Sequence, residues 1–490
     1  MSIRRVACAL LILVLAGAAS GTEPPPAPRN IAKDPRIVQA LELARTWLEA
    51  QRAYDRIPGV SAEIVHDQEV LWSGAFGFSD VEAKRPATTD TIYSICSISK
   101  LFTSVAVLQQ RDEGKLHLDD PVGKHLSWFR LKRTEGEGDV TVEGILTHAS
   151  GLPRESDYPY WSAPEFKFPS REEVVSRIAD QEALYTPESH FQYSNLGLTL
   201  AGEIVAATSG MSYEDYVRGR ILGPLGLAST TPQMPESERG KRLATGYTAL
   251  DRDGQRRPIP FFTAKGIGPA AGYASTVGDL GKFASWQFRL LEKGGREVLK
   301  ATTLREMYRI HWAEPDFDTL WGLGFEVWKD DDSKMFVGHG GSCPGYRSHL
   351  LLMPGERIAT VIMVNSSGVR TERFAQRLYD IVAPAVKEAT KEPGKGKASD
   401  ASLRKYAGTY DVQPWDGEVA ILPWDEGLAM VAFPTMDPVK DLDRFKKVGE
   451  HRFRRIRKDD SLGEEIVFEM GADGRATRFT QHSNHYPRVR

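Results

Sequence analysis

The chain has 490 residues, 41% hydrophobic and 26% charged, which gives length for two or three domains and the balance of a folded globular protein rather than a disordered or fibrous one. Its 63 basic and 66 acidic residues leave a formal net charge of -3, so no global field draws nucleic acid or an acidic membrane. Partners must therefore be argued from local sites.

Residues 1–20 read as a signal peptide: Arg4 and Arg5 precede an apolar run over 6–16, then Gly17, Ala18, Ala19 and Ser20 supply a cleavage context after Ala18 or Ser20. The run is too short to span a membrane, and Cys8 lies at its start, where it is badly placed for lipidation. The expectation is a protein exported to the periplasm or beyond, with no membrane span. A Pro-rich linker follows over 21–35, with Pro24 to Pro28 at its centre. Ile37, Leu41, Ala44 and Leu48 have helical spacing, and residues 59–77 alternate as a hairpin about Asp67-Gln68. Between 97 and 320 the pattern is mostly helical. Two helices are clear, 97–113 stopped by Gly114 and 195–209 stopped by Gly210. Strands return at 324–328, 335–339, 349–353 and 358–364, followed by a helix over 371–386.

The expected fold class is α/β in the mixed α+β sense: one antiparallel sheet assembled from distant segments, flanked by helices, with an all-helical insert. This unit spans 36–388. A Lys-, Pro- and Gly-containing linker covers 389–402. From 403 to 490, short segments separated by Asp416-Gly417, Glu426-Gly427 and Asp473-Gly474 predict a small C-terminal all-β domain, barrel or sandwich.

There is no Gly-x-Ser-x-Gly elbow, zinc helix or Walker loop. Ser97-Ile98-Ser99-Lys100 stands instead at the start of an apolar helix. Positions three apart share a helix face, so the Lys100 amine can reach the Ser97 hydroxyl, and the helix N-terminus favours charge developing on an attacked carbonyl. The same spacing recurs at Ser402-Leu403-Arg404-Lys405, so alone it is weak. Two further elements follow in order: Tyr193-Ser194-Asn195 before a helix, where alternate residues face one site, and His339-Gly340-Gly341 at a strand end, where glycines admit a substrate to the backbone.

With these three motifs the chain resembles the serine β-lactamase and penicillin-binding-protein superfamily, on the branch with class C β-lactamases, D-aminopeptidases, DD-carboxypeptidases and family VIII esterases. Supporting stretches are Leu146-Thr147-His148-Ala149-Ser150-Gly151-Leu152, Leu116-His117-Leu118-Asp119-Asp120-Pro121-Val122 and Trp321-Gly322-Leu323-Gly324-Phe325. The resemblance implies a cofactor-free and metal-free serine hydrolase. Ser97 is its nucleophile, Lys100 and Tyr193 its proton-transfer pair. Asn195, His339, Gly341 and Ser342 hold the substrate, with the Ser97 and Ser342 amides as oxyanion hole. Class C β-lactamases carry Lys-Thr-Gly at the third motif, where this chain has His339, neutral at pH 7. Relatives with His-x-Gly are often peptidases or esterases, and Arg347 is the nearest cation in sequence to replace the missing ammonium. The resemblance also implies a Cys96–Cys343 disulfide beside the site, against two small buried thiols.

The resulting expectation is an acyl-enzyme hydrolase of small esters or peptide amides. A true β-lactamase, or a peptidoglycan- or peptide-binding protein with a vestigial site, is the alternative. Oligomeric state is open. His148 reads as a packing residue, Asp119 and Asp120 as turn and cap residues, His482 and His485 as surface histidines, and residues 452–458 as a solvated strand face.

Overall fold

The computed structural model describes residues 30–132, 138–330 and 333–490. The predicted leader and most of the Pro-rich linker lie outside them. Asp34 caps the first helix, α1 (Pro35–Tyr54), by accepting from the Arg36 N–H at 3.0 Å, and Pro35 supplies the preset φ of a first helical residue. β1 (Gly59–His66) and β2 (Glu69–Asp80) form the expected hairpin, turning at Asp67 with a positive φ of 55°. The chain then enters a largely helical region containing α2 (Ser99–Asp112), α3 (Asn195–Ser209) and α4 (Val277–Lys293).

It returns to the sheet as β3 (Glu326–Lys329), β4 (Met335–Cys343), β5 (Tyr346–Met353) and β6 (Ile358–Val364), and closes with α5 (Thr371–Lys391). The spatial order is β2-β1-β6-β5-β4-β3, with two-residue strands extending both edges and every pairing antiparallel. Joining β1 to β6 brings the two ends of the unit together and frees everything between them to build the insert.

Both faces of the sheet are covered, and the two-residue period of the strands sorts side chains between them. Ile358, Ile362 and Val364 of β6 enter the core shared with α1 and α5. Ala359, Val361 and Met363 enter the larger core shared with α2, α3 and α4. This parity decides below which residues of β4 and β5 reach the site.

The C-terminal strands β7 (Gly408–Asp411), β8 (Glu418–Trp424), β9 (Gly427–Phe433), β10 (Asp443–Gly449), β11 (Arg452–Ile456), β12 (Leu462–Met470), β13 (Ala476–Gln481) and β14 (Asn484–Pro487) form an eight-stranded meander in sequence order. The Thr409 N–H donates to the Arg490 carbonyl (3.0 Å) and the Val489 N–H to the Thr409 carbonyl (2.8 Å), joining first strand to chain end as a near-barrel. It has its own aromatic core about Tyr406, Tyr410, Phe453 and Phe468.

α5 continues to Lys391, into the stretch expected as linker, and the β domain docks on the helices. Ala420, Leu422, Val431 and Phe433 belong to the same buried cluster as Trp47 of α1 and Phe374 of α5, and the Trp47 indole N–H donates to the Thr435 carbonyl at 2.9 Å. Phe433→Ala removes a buried ring from that shared core. It should cost about 3–5 kcal/mol, with both parts still melting in one coincident transition by circular dichroism and by intrinsic fluorescence. Two separated transitions in the wild-type protein would show that the shared core does not couple them.

Candidate active site

Ser97 lies just ahead of α2, in a 3-10 turn (Cys96–Ile98), rather than inside the helix as its spacing predicts. The turn forms because Cys96 adopts a positive φ of 52° and the Ser99 hydroxyl donates back to the Cys96 carbonyl. The first bond of the turn runs from the Ile98 N–H to the Ile95 carbonyl, 3.1 Å, which leaves the Ser97 N–H outside the helical ladder and available to an oxyanion. The Ser97 side chain is half-buried, while Lys100, one turn on, is completely buried.

The Lys100 Nζ has three oxygen neighbours: Ser97 Oγ at 3.2 Å, Asn195 Oδ1 at 2.7 Å and the Ala270 carbonyl at 2.8 Å. Two are carbonyl oxygens that only accept. In the neutral amine they take both N–H groups and leave the lone pair facing the Ser97 hydroxyl. Burial favours this form by pushing the amine well below its ordinary pKa, against the opposing pull of the Glu155 carboxylate.

Tyr193 completes the cluster. Its ring lies 4.8 Å from the Lys100 Nζ and 4.9 Å from the Arg154 guanidinium carbon. Burial raises its pKa, so it rests as the phenol. His148 stacks on it (centroids 4.2 Å apart) and accepts from the Ser194 N–H through Nδ1 at 3.1 Å, which makes His148 the packing residue expected of it.

His339 stands on β4, 6.1 Å from the Tyr193 ring and 5.5 Å from Trp321. Its Nδ1 lies 2.6 Å from the Gly340 carbonyl and must carry the proton, so Nε2 is a buried acceptor with no partner among the described residues. Burial lowers the His339 pKa to about 3. Where class C β-lactamases hold an ammonium, this site holds a neutral ring.

Gly341 allows the strand to approach the Ser97 turn: a Cβ there would collide with the Ile95 carbonyl and the Ser348 hydroxyl. Cys343, on the same face of β4, is bonded to Cys96 with Cα atoms 5.7 Å apart, an ordinary separation for a disulfide. Across the two-residue Pro344-Gly345 turn, Cys343 and Tyr346 are the closing pair. Alternation along the ladder then turns the backbone N–H groups of Gly340 and Ser342 away from β5. β3 covers that edge only as far as Gly338, so β3 gives the Ser342 N–H no partner.

Arg347 does not replace the missing cation. It is paired with Ser342 and shares the opposite strand face, toward α5, and it donates to the Cys343 and Tyr346 carbonyls at 3.0 and 2.9 Å. Asp120, 7% exposed, binds the His117 N–H and the His125 ring in a loop, as a turn residue does. Ser402 and Lys405 stand in a short turn before the β domain, with Ser402 donating to Asp400.

Sequence reasoning passed over Glu155 and Tyr160. Glu155 accepts from the Asn195 Nδ2 at 2.6 Å and from the buried Tyr160 hydroxyl. Their only signal was position, three and eight residues after Leu152 in a loop whose path the sequence does not reveal.

The Beta-lactamase family model matches residues 44–383, most of the chain and all of the site. The chain belongs to the Beta-lactamase family. A human beta-lactamase-like protein is 27% identical over 390 residues, 77% of this chain and 75% of its own. Among solved structures, the octameric penicillin-binding protein homologue from Pyrococcus abyssi is similar over 91% of this chain and 99% of its own, with 26% identity and a TM-score of 0.63. A D-stereospecific amidohydrolase from Streptomyces sp. covers 71% and 97%, with 26% identity and a TM-score of 0.56.

Two predictions follow from this site of the Beta-lactamase-family fold. Unfolded His339 accepts a proton near pH 6.5, whereas folded His339 refuses it until about pH 3. Its contribution to stability is therefore complete above about 6.5 and is lost as pH falls toward 3. Urea unfolding at pH 7.5 and 5 should show this loss, and His339→Gln should show less of it; an equal loss in both proteins contradicts the assignment. Second, the disulfide closes 247 positions, so reduction should cost about 2–4 kcal/mol. Peptide mapping of unfolded, unreduced protein should find the linked pair, and two freely alkylated thiols would refute it.

Proposed function

We propose that the protein is an exported serine hydrolase that forms an acyl-enzyme on Ser97 and cleaves ester or amide bonds of small, peptide-like substrates. The observation that carries this reading is the Lys100 amine, buried with two carbonyl acceptors on its N–H groups and the Ser97 hydroxyl at 3.2 Å on its remaining side. As Ser97 Oγ attacks the substrate carbonyl, its proton passes to the Lys100 and Tyr193 pair. The carbonyl oxygen becomes an oxyanion at the Ser97 and Ser342 N–H groups. When the carbon–nitrogen or carbon–oxygen bond breaks, the proton moves on through Tyr193 to the leaving group. Water then attacks the ester by the reverse relay and releases the acid.

Penicillin turnover is disfavoured on a specific observation: His339 is held neutral, and Arg347 faces away, so the third motif supplies no cation for a substrate carboxylate. The amidohydrolase neighbour supports amide substrates. Export rests on the leader sequence and is supported by the bonded Cys96–Cys343 pair, which suits an oxidising compartment.

The test is mass spectrometry after incubation with a fluorophosphonate and, separately, with penicillin. The fluorophosphonate should add one adduct, on Ser97, and Ser97→Ala should abolish it. Lys100→Ala and Tyr193→Phe should each slow acylation on the order of 10²-fold or more. Ser402→Ala should react as the wild type does. No adduct from either reagent would leave a binding protein with a vestigial site as the better reading.

A further inference from the structure

Behind Asn195 the polar network continues for two more residues. Its Nδ2 donates to Glu155 Oε1 at 2.6 Å, and Glu155 Oε2 accepts from the Tyr160 hydroxyl, which is buried. Arg154 stands beside the carboxylate at 3.4 Å, and its own carbonyl accepts the Asn195 N–H at 2.7 Å. The loop is thereby pinned to the start of α3, and Glu155 is held against Asn195, which also bonds Lys100.

An amide has two unlike ends of nearly equal shape, and only its surroundings decide which way it faces. A carboxylate accepts and never donates. With Glu155 on one side, Asn195 must turn Nδ2 toward it and Oδ1 toward Lys100. With Oδ1 and the Ala270 carbonyl each taking one N–H, the lone pair of neutral Lys100 is left for Ser97. In the flipped amide, Nδ2 would donate to that lone pair and remove the base.

We propose that Glu155 is a positioning residue: its carboxylate fixes the orientation of the Asn195 amide and so aims the Lys100 lone pair at the Ser97 hydroxyl. This rests on the serine-hydrolase reading and deepens it. Glu155 also sets the charge balance around the amine. The groups facing Lys100 are Ser97 from the nucleophile turn, Tyr193 and Asn195 from the start of α3, the Ala270 carbonyl, His148, Arg154 and Glu155 from the loop, and His339 from β4. Glu155 is the anion among them. Burial and Arg154 drive the proton off Lys100, and Glu155 opposes them.

The experiment compares wild type, Glu155→Gln and Glu155→Asp in acylation by p-nitrophenyl acetate across pH, with fluorophosphonate labelling of Ser97 read in the same preparations. Gln keeps the shape and the acceptor but adds an NH2 group and removes the charge. Glu155→Gln should lower the plateau rate on the order of tenfold or more with KM unchanged. It should also move the acid limb of the pH profile down by roughly one unit, because the carboxylate no longer supports the Lys100 proton. Glu155→Asp should keep the limb at its wild-type position. A Gln variant with wild-type plateau and limb overturns the proposal, as does an Asp variant whose limb is displaced as far as that of Gln. Should Glu155→Gln fold poorly by circular dichroism, Glu155→Ala, which also removes the charge, takes its place with the same plateau and limb expected. Failure of the wild type itself to label would instead overturn the hydrolase reading.

Discussion

A lysine amine with no exposed surface sits at the centre of this molecule, and its burial constrains every element around it. An ammonium removed from water is costly unless its donors are met, and a neutral amine in the same place has two donors to satisfy. The fold meets them with oxygens from two separate elements, Asn195 at the start of α3 and Ala270 in the short helix Gly268–Ala271. Both must be held against the first turn of α2 for the amine to remain buried. The aromatic packing of His148, Tyr193, Trp321 and His339 then closes the same space from the sheet side.

The sheet contributes through its parity. His339, Gly341 and Cys343 alternate onto the face that meets the Ser97 turn, while Ser342 and Arg347 turn to the face covered by α5. Close approach at Gly341 and the bond from Cys343 to Cys96 fix strand and turn together on either side of Ser97. The face of β4 that meets the Ser97 turn thus carries a neutral ring, a glycine and a bonded cysteine rather than a charged side chain. Stability and chemistry share one cause here, since the burial that depresses Lys100 and His339 also makes the fold acid-sensitive.

Much of this was legible in the sequence because local spacing encodes it. Ser97 and Lys100 are spaced one helical turn apart, Tyr193 and Asn195 flank the marked start of a helix whose stop is also marked, and His339 precedes glycines on an alternating strand. The antiparallel sheet, the helical insert and a small C-terminal all-β domain were readable from period and turn residues, though not that its strands run as a meander. What was not legible depends on loop paths and on strand faces. Glu155 and Tyr160 lie in a loop with no periodic pattern, yet the fold brings them to Asn195. Arg347 is close to His339 in sequence, but one step of strand parity puts it across the sheet. Burial of β8 and β9 residues against α1 depends on contacts some 370 residues apart that no local pattern announces.

The account stands on Lys100 being a neutral, inward-facing base. Its protonation is directly measurable by carbon-detected NMR of lysine-labelled protein, with the Ser97→Ala variant as the stable sample and Lys100→Arg to assign the resonance. The account predicts that the Lys100 side-chain signal titrates well below the other lysines, which should change near the ordinary value of about 10.4. A Lys100 signal that stays protonated until it titrates with them would contradict it.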